Sequence, residues 1–375
     1  MTQIGILGAA AVQDDGVRAA QALGWTVHVL AARPDGPAAE SADVFVPIDF
    51  SDRDAVVRYA QAHALDAVYS IGSDSAIPVS AYVSERLGLP HFVSSAVAEV
   101  CNRKPEMRRA LVGIQGNVPA QEVSTDDDAV WTGRWPVIVK PADAQGQRGV
   151  SRVDAQEAVK AAVSEALQHS RSGSAIIEEF IEGPEVSVNG YLVDGRLVFL
   201  AVSDRETWPE FVGLIASHVA PGTAADEDVR SAIHKVVEAA AQRLGITDGP
   251  LYAQMMVRDG QPYIIEITPR LDGCHMWRVL REATGVNLMD WTLRHLVDGS
   301  TPHPTGCLIN PPMAPVRLDF HCQPPHTVYR SANHATPADA TERYDYYQDG
   351  DTVRAVNGRF EKVGYVIRHD EGQTA

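Results

Sequence analysis

None of the four cysteines, Cys101, Cys274, Cys307 and Cys322, forms a CxxC pair. Neither a disulfide framework nor a zinc site is therefore indicated. A basic excess is missing too: 32 Lys and Arg stand against 49 Asp and Glu, a net charge of −17. A nucleic-acid binder presents a basic face, so that class is disfavoured, and the acidity serves solubility. No apolar run reaches the roughly 18 residues that a membrane helix needs. The first residues, MTQIGILGAAA, lack the basic segment that precedes the apolar stretch of a signal peptide. A reducing cytoplasm is the expected location, with no membrane partner. Internal repeats, low-complexity tracts and an obvious flexible linker are absent as well.

What remains is an ordinary globular composition, 375 residues with 45% hydrophobic and 22% charged. That length allows two or three domains, each with its own core.

Residues 1–93 alternate strand and helix signals. Strands are expected at 4–8, 25–31, 43–48 and 66–72, and helices at 16–24, 52–64 and 76–88. Such alternation implies a parallel sheet covered on both faces. Gly5 and Gly8 make half of a dinucleotide fingerprint, but the full G-x-G-x-x-G is missing and no acidic residue ends the second strand. Nicotinamide binding is therefore disfavoured.

A second block starts near residue 95. A helix is expected over 101–113, with Pro105 in its first turn and Lys104 at its entry. A cation there opposes the helix dipole, so it needs an anionic partner or open solvent. Next comes VIVKPADAQGQRGV over 137–150, a short apolar strand ending in Lys140 before a loop with Gly146 and Gly149. A cation beside a bendable loop suits a phosphate. No GK[ST] follows, so this is not a Walker A loop. A helix over 154–170, a strand over 174–181 and a hairpin over 185–204 turning on Asp194-Gly195 come next. A loop is expected to carry Trp208, Pro209, Phe211, His218 and Pro221, followed by a long helix over 226–245.

The hairpin LYAQMMV-RDGQP-YIIEIT carries the most pointed chemistry. Side chains alternate along a strand, so Glu266 and Thr268 share a face. Gln254 faces the same site only if the register places 254 opposite 266. A three-residue turn at 259–261 does so, whereas a two-residue turn at Asp259-Gly260 does not. The odd-length turn is the expectation. A carboxylate inside the run Tyr-Ile-Ile-Glu-Ile needs a cation or several donors, and Mg²⁺ takes one or two carboxylates plus substrate phosphates. Arg270 could stabilise a transferring phosphoryl group. The alternative is a Glu266–Arg270 ion pair of purely structural value.

Taken in order, Lys104, Lys140 with its glycine loop, IIEEFIEGPE and AQ…IIEITPR resemble the ATP-grasp superfamily. The group around carbamoyl-phosphate synthetase, biotin carboxylase and the bacterial L-amino-acid ligases is the nearest in pattern. The resemblance covers at least residues 1–300. It implies α/β and α+β architecture: a Rossmann-like pre-ATP-grasp domain (1–93), a linker helix and lid subdomain (94–183), a catalytic subdomain (184–300) and a C-terminal piece completing it (301–375).

The resemblance also implies roles. Lys104 and Lys140 would contact the phosphates of ATP. The loop 143–149, with Gln145, Gly146 and Gly149, would close over them. Glu178, Glu179, Phe180 and Ile181 would meet the adenine edge, and Glu185 the ribose hydroxyls. Gln254, Glu266 and Thr268 would hold Mg²⁺ or Mn²⁺. Many relatives have Glu at the position of Gln254, and most have Asn at that of Thr268, which leaves Glu266 the only anion of the set. Arg270, Lys140 and His218 are the candidate catalytic side chains.

WPEFVGLIASHVAPG, PRLDGCHMWRVLREATGVNL and the tail RFEKVGYVIRHDEG resemble the corresponding parts of amino-acid ligases. Trp208, Phe211, His218, Arg270, Gly273, His275 and Trp277 are the implied pocket residues. The implied activity is an ADP-forming carboxylate–amine ligase acting through an acyl phosphate on small carboxylates and amines. Many relatives are dimers, which leaves a homodimer open. The alternatives are a biotin-carboxylase-, carbamoyl-phosphate- or purine-type enzyme, or a nucleotide-binding regulatory protein with weak catalysis.

Overall fold

A computed structural model describes residues 1–370 apart from 128, 144–148, 303, 305–307 and 357. Three sheets carry the chain among these residues. The first is parallel, in the order β3-β2-β1-β4, built from β1 (Gln3–Leu7), β2 (Thr26–Leu30), β3 (Val44–Val46) and β4 (Ala67–Tyr69). Its helices are α1 (Ala11–Ala22), α2 (Pro37–Ser41), α3 (Arg53–Ala62) and α4 (Ile77–Leu87). The expected alternation is present.

Helix α1 starts five residues before the expected 16. The Gln13 side chain reaches back to accept the Ala10 N–H at 2.9 Å, which caps the new start. This places Asp14 and Asp15 inside the helix, both buried. The expected helix over 101–113 is two helices, α5 (Ser95–Asn102) and α6 (Lys104–Ala110). Arg103 between them is extended (φ −105°, ψ 105°), as a residue preceding Lys104-Pro105 at a new helix start allows.

The second sheet is antiparallel, in the order β5-β8-β6-β7: β5 (Ala120–Val123), β6 (Val137–Pro141), β7 (Ser151–Val153) and β8 (Ala175–Glu179), crossed by α7 (Gln156–His169). It packs on its own core, in which Val137, Val139 and Ile177 face Val159, Val163 and Ala166. The third sheet has nine strands. Its path runs β13 (Gln261–Thr268), β12 (Gly249–Arg258), β9 (Glu185–Val193), β10 (Arg196–Trp208), β11 (Phe211–Ala220), β15 (Val316–Gln323), β17 (Glu361–His369), β16 (Ala340–Asp345), and β14 (Leu308–Ile309) pairs with β10. Helices α8 (Glu227–Leu244), α9 (Met276–Thr284) and α10 (Leu288–Asp298) complete it. Apolar positions spaced along α8 (Val229, Ile233, Val236, Val237, Ala240) bury one stripe against that sheet.

Two expectations about strands change. The segment expected as a loop is a hairpin, with Trp208 ending β10, Phe211 opening β11 and His218 inside β11 opposite Arg205. Alternation is broken there by two register shifts, which is why no period-2 pattern shows in the sequence. The hairpin of β12 and β13 turns on two residues, not three: Arg258 pairs with Gln261, and Asp259 (φ 52°) and Gly260 (φ 74°) take the left-handed conformations of a tight turn. Among the described residues no helix is long and apolar enough to cross a membrane.

The parallel sheet docks on the third one by backbone contact. A Cβ on Gly72 would lie 2.6 Å from the Gly273 Cα, and one on Gly273 would lie 2.9 Å from the Gly72 oxygen. Only glycine at both positions permits that approach. Asp74, just past the end of β4, is thereby brought against Arg270.

Candidate functional site

Gln254 and Glu266 are directly opposed across β12 and β13. The two-residue turn alone would have put Gln254 opposite Ile265. One extra residue on β13 between Gln254 and Met255 in the pairing shifts the register back. The bulge is held from outside: Arg108 donates to the Ile264 oxygen at 2.8 Å and to the Ile265 oxygen at 3.0 Å. Glu266 is half-buried and makes no hydrogen bond or ion pair among the described residues. The Gln254 Nε2 donates to Glu185, leaving its Oε1 as an acceptor. Two hard oxygen donors on one face suit Mg²⁺, with phosphate oxygens and water supplying the rest of its shell. The Thr268 hydroxyl is turned to Asp74.

Lys140, the last residue but one of β6, is buried and pairs with Glu178 of β8. Arg108 donates to the other oxygen of the same carboxylate at 2.7 Å. Burial pushes the Glu178 carboxyl up, but Arg108 and Lys140 outweigh it and bring it down to about 2. Burial, with Arg108 and Lys104 nearby, pulls the Lys140 ammonium down, and Glu178 opposes that. Lys104, at the start of α6, is close enough to act on both Lys140 and the Asp74 carboxylate. Arg108 lies one helical turn beyond Lys104 on the same face, and this joint between the second sheet and the bulge escaped the sequence reading. The i, i+4 spacing was its only signal.

The remaining nucleotide candidates are largely engaged with neighbours. Glu179 accepts from Arg258 at 2.7 Å, the Arg152 guanidinium lies 4.7 Å from the Phe180 ring centre, and Ile181 is buried. Glu185 pairs with Arg205 and accepts from Gln254. Gly149 is held at φ 67°, where a Cβ would come 2.8 Å from His169. Gln145 and Gly146 lie outside the described residues.

Arg270 does not pair with Glu266. It forms a two-point ion pair with Asp74, Nε to Oδ1 at 2.6 Å and Nη2 to Oδ2 at 2.7 Å. Burial raises the Asp74 carboxyl, and Arg270 and Thr268 more than reverse this. Glu266 still lies near enough to help hold the Arg270 charge.

A cavity of about 340 Å³ opens beside Gly273 and His275. Its walls are mostly apolar, with Val12, Leu214, Ile215 and Phe360, and it carries Lys362 and Tyr346. Of the expected pocket residues only Gly273 and His275 line it. Trp208 and Phe211 pack on Phe360, at 5.2 and 5.0 Å between ring centres. Trp277 donates to Asp15 at 2.8 Å. His218 is fully buried, with only the Asp204 backbone near enough to interact with its ring as a hydrogen-bond partner among the described residues. Burial first, then Arg205 and Lys362, keeps it neutral. Its side chain has no open face in this conformation.

Comparison with known proteins places this geometry. A model of the ATP-grasp domain matches residues 133–277, and one of the ATP-grasp N-terminal domain matches residues 17–91. The chain is 32% identical over 140 residues to D-alanine–D-alanine ligase A of Clostridium perfringens, covering 36% of this chain and 44% of that protein. It is 25% identical over 329 residues to carnosine synthase 1 of Mus musculus, covering 76% of this chain and 38% of that protein. The chain thus spans less than half the length of these curated relatives. In fold it is similar to an L-amino acid ligase from Bacillus licheniformis, with a TM-score of 0.78 at 20% identity over 99% of this chain and 94% of that one. Two domain models matching in chain order, with one fold along almost the whole length, place the chain in the ATP-grasp superfamily.

Proposed function

We propose that the protein is an ATP-dependent, ADP-forming carboxylate–amine ligase with an amino acid among its substrates. The observation that carries this reading is a convergence of charge. Lys104, Lys140 and the pair Glu266 and Arg270 come from three separate segments, and Lys104 and Asp74 link them into one electrostatic field. Two lysines suit the phosphates of ATP, and an arginine at the end of β13 suits the anion that forms when a carboxylate attacks the γ-phosphorus. The Gln254 Oε1 and the Glu266 carboxylate would hold Mg²⁺, which when bound neutralises phosphate charge.

In this reading Lys140 is kept cationic and in place by Glu178, and Glu178 by Arg108. Catalysis rests on positioning and charge stabilisation. The amine then captures the acyl phosphate. Excluding water from the phosphates would protect that intermediate from hydrolysis. The division at residues 93, 183 and 300 belongs to the same proposal, as does an assembly of two copies.

A second reading is favoured by one observation: Arg270 is fully engaged by Asp74. A nucleotide-binding regulatory protein would tolerate that, whereas a ligase needs Arg270 to exchange Asp74 for the reacting anion. Purified protein with Mg²⁺-ATP and a pool of amino acids and other carboxylic acids, assayed for ADP and phosphate, separates the two. Acid-stimulated ADP release with a new amide in the mass spectrum supports the ligase. ATP binding without any acid-stimulated turnover sinks it.

A further inference from the structure

Asp15, His275 and Tyr346 come from three distant parts of the chain and form one hydrogen-bonded line. The His275 Nδ1 lies 2.6 Å from the Asp15 Oδ2, and its Nε2 lies 2.8 Å from the Tyr346 hydroxyl. Asp15 is buried and held at about 2, because His275 and Arg278 overcome the upward push of burial. An ionised carboxylate only accepts, so Nδ1 carries the hydrogen, and the relay uses the tautomer in which Nε2 accepts from the Tyr346 O–H. His275 sits at φ 59°, a left-handed conformation that costs a non-glycine residue energy and persists where its surroundings over-determine it. Trp277 and Arg278 fix the other faces of Asp15, at 2.8 and 2.7 Å. The end of the line opens on the cavity: Tyr346 and His275 both line it, beside Gly273.

We propose that this line is a proton relay for the amine substrate, with Tyr346 as the catalytic residue and His275 and Asp15 as positioning residues behind it. The proposal rests on the ligase reading above. There the acid and the phosphates sit with Arg270 and the lysines, so the amine approaches the acyl carbon from the Gly273 side. The amine nitrogen forms its bond to the acyl carbon, and the carbon–oxygen bond to phosphate breaks, with phosphate leaving with the electron pair. The proton lost by nitrogen goes to the Tyr346 oxygen while the Tyr346 proton passes to the His275 Nε2. The imidazolium so formed is stabilised by Asp15, and its proton later leaves to solvent. Tyr346 itself stays un-ionised in the resting protein, since burial pushes its hydroxyl well above the usual range. It serves as a conduit, and the base is the imidazole behind it.

The test uses two nucleophiles. Full-length protein is incubated with Mg²⁺-ATP and a mixture of the twenty proteinogenic amino acids, with and without excess hydroxylamine. Hydroxylamine is weakly basic and captures acyl phosphates without help from a base, so its hydroxamate reports activation of the acid alone. Tyr346→Phe should keep hydroxamate formation within about twofold and lower dipeptide formation roughly a hundredfold, the scale of lost acid–base assistance. Asp15→Asn, which keeps the shape and removes the charge, should show the same split and covers the case in which the first variant fails to fold. An equal fall in both products, or no fall in dipeptide, overturns the relay. If the wild-type protein makes no hydroxamate at all, the ligase reading falls and takes the relay with it.

Discussion

Arg270 and Asp74 are 196 residues apart and meet through two hydrogen bonds of 2.6 and 2.7 Å. The pair ties the end of β13 to the loop after β4. Asp74→Ala would leave the buried Arg270 charge without its two-point partner. The expected loss of stability is roughly 3–5 kcal/mol, measured by urea denaturation. Asp74→Leu combined with Arg270→Met should recover most of that stability and none of the acid-stimulated ADP release. A single variant as stable as the wild type would contradict the structural weight given to the pair.

Arg108 joins Glu178 to both carbonyls of the bulge. Arg108→Met should therefore disturb two places at once. It leaves two backbone acceptors without their donor and Glu178 with Lys140 only. A loss of about 3 kcal/mol or more is expected, together with weaker ATP binding. Calorimetric titration with ATP and thermal melting are the measurements, and unchanged ATP affinity would argue against Arg108 as the link between the lid and the hairpin.

Glu178 makes an acid-stability prediction. Its carboxyl lies near 4.5 in the unfolded chain and is brought down to about 2 when folded. A depressed folded value means stability that is present above pH 4.5 and lost as pH falls toward 2. Glu178→Gln should be less stable at neutral pH, because Lys140 and Arg108 lose their anion, and its stability should fall less steeply between pH 4.5 and 2. Parallel acid limbs in wild type and variant would contradict the assignment.

Lys140→Ala removes one phosphate cation, and ATP affinity is expected to drop about tenfold or more. Glu266→Gln keeps the shape of β13 and removes the anion opposite Gln254 across the β12–β13 ladder. Turnover should fall by at least about a hundredfold while the melting temperature moves by no more than a few degrees. Full turnover in Glu266→Gln would remove it from the metal site.

Part of this candidate site is legible in the sequence. Lys140 stood out as a cation ending an apolar strand, and Glu266 as a carboxylate inside one, because each breaks a local pattern that burial would otherwise enforce. The opposition of Gln254 and Glu266 was anticipated for the wrong reason. A longer turn was expected, whereas the structure has a tight turn and a bulge. Both solutions give the same parity, so pattern alone could not choose between them. Trp208 and Phe211 suggested a pocket because their segment resembles the substrate loop of amino-acid ligases. They belong to an irregular hairpin and cover Phe360.

By itself, the sequence determined the alternation of strands and helices in the first ninety residues and the order of the phosphate and carboxylate segments along the chain. Those are local properties, set by periodicity, turn residues and charge at strand ends. The tertiary structure alone decided which distant charges meet: Asp74 with Arg270, Asp15 with His275, and Arg108 with Glu178. The physical reason is that a buried charge has to find a partner wherever the fold brings one. Nothing in the sequence near an arginine says which carboxylate, nearly two hundred residues away, will be beside it once the sheets have packed.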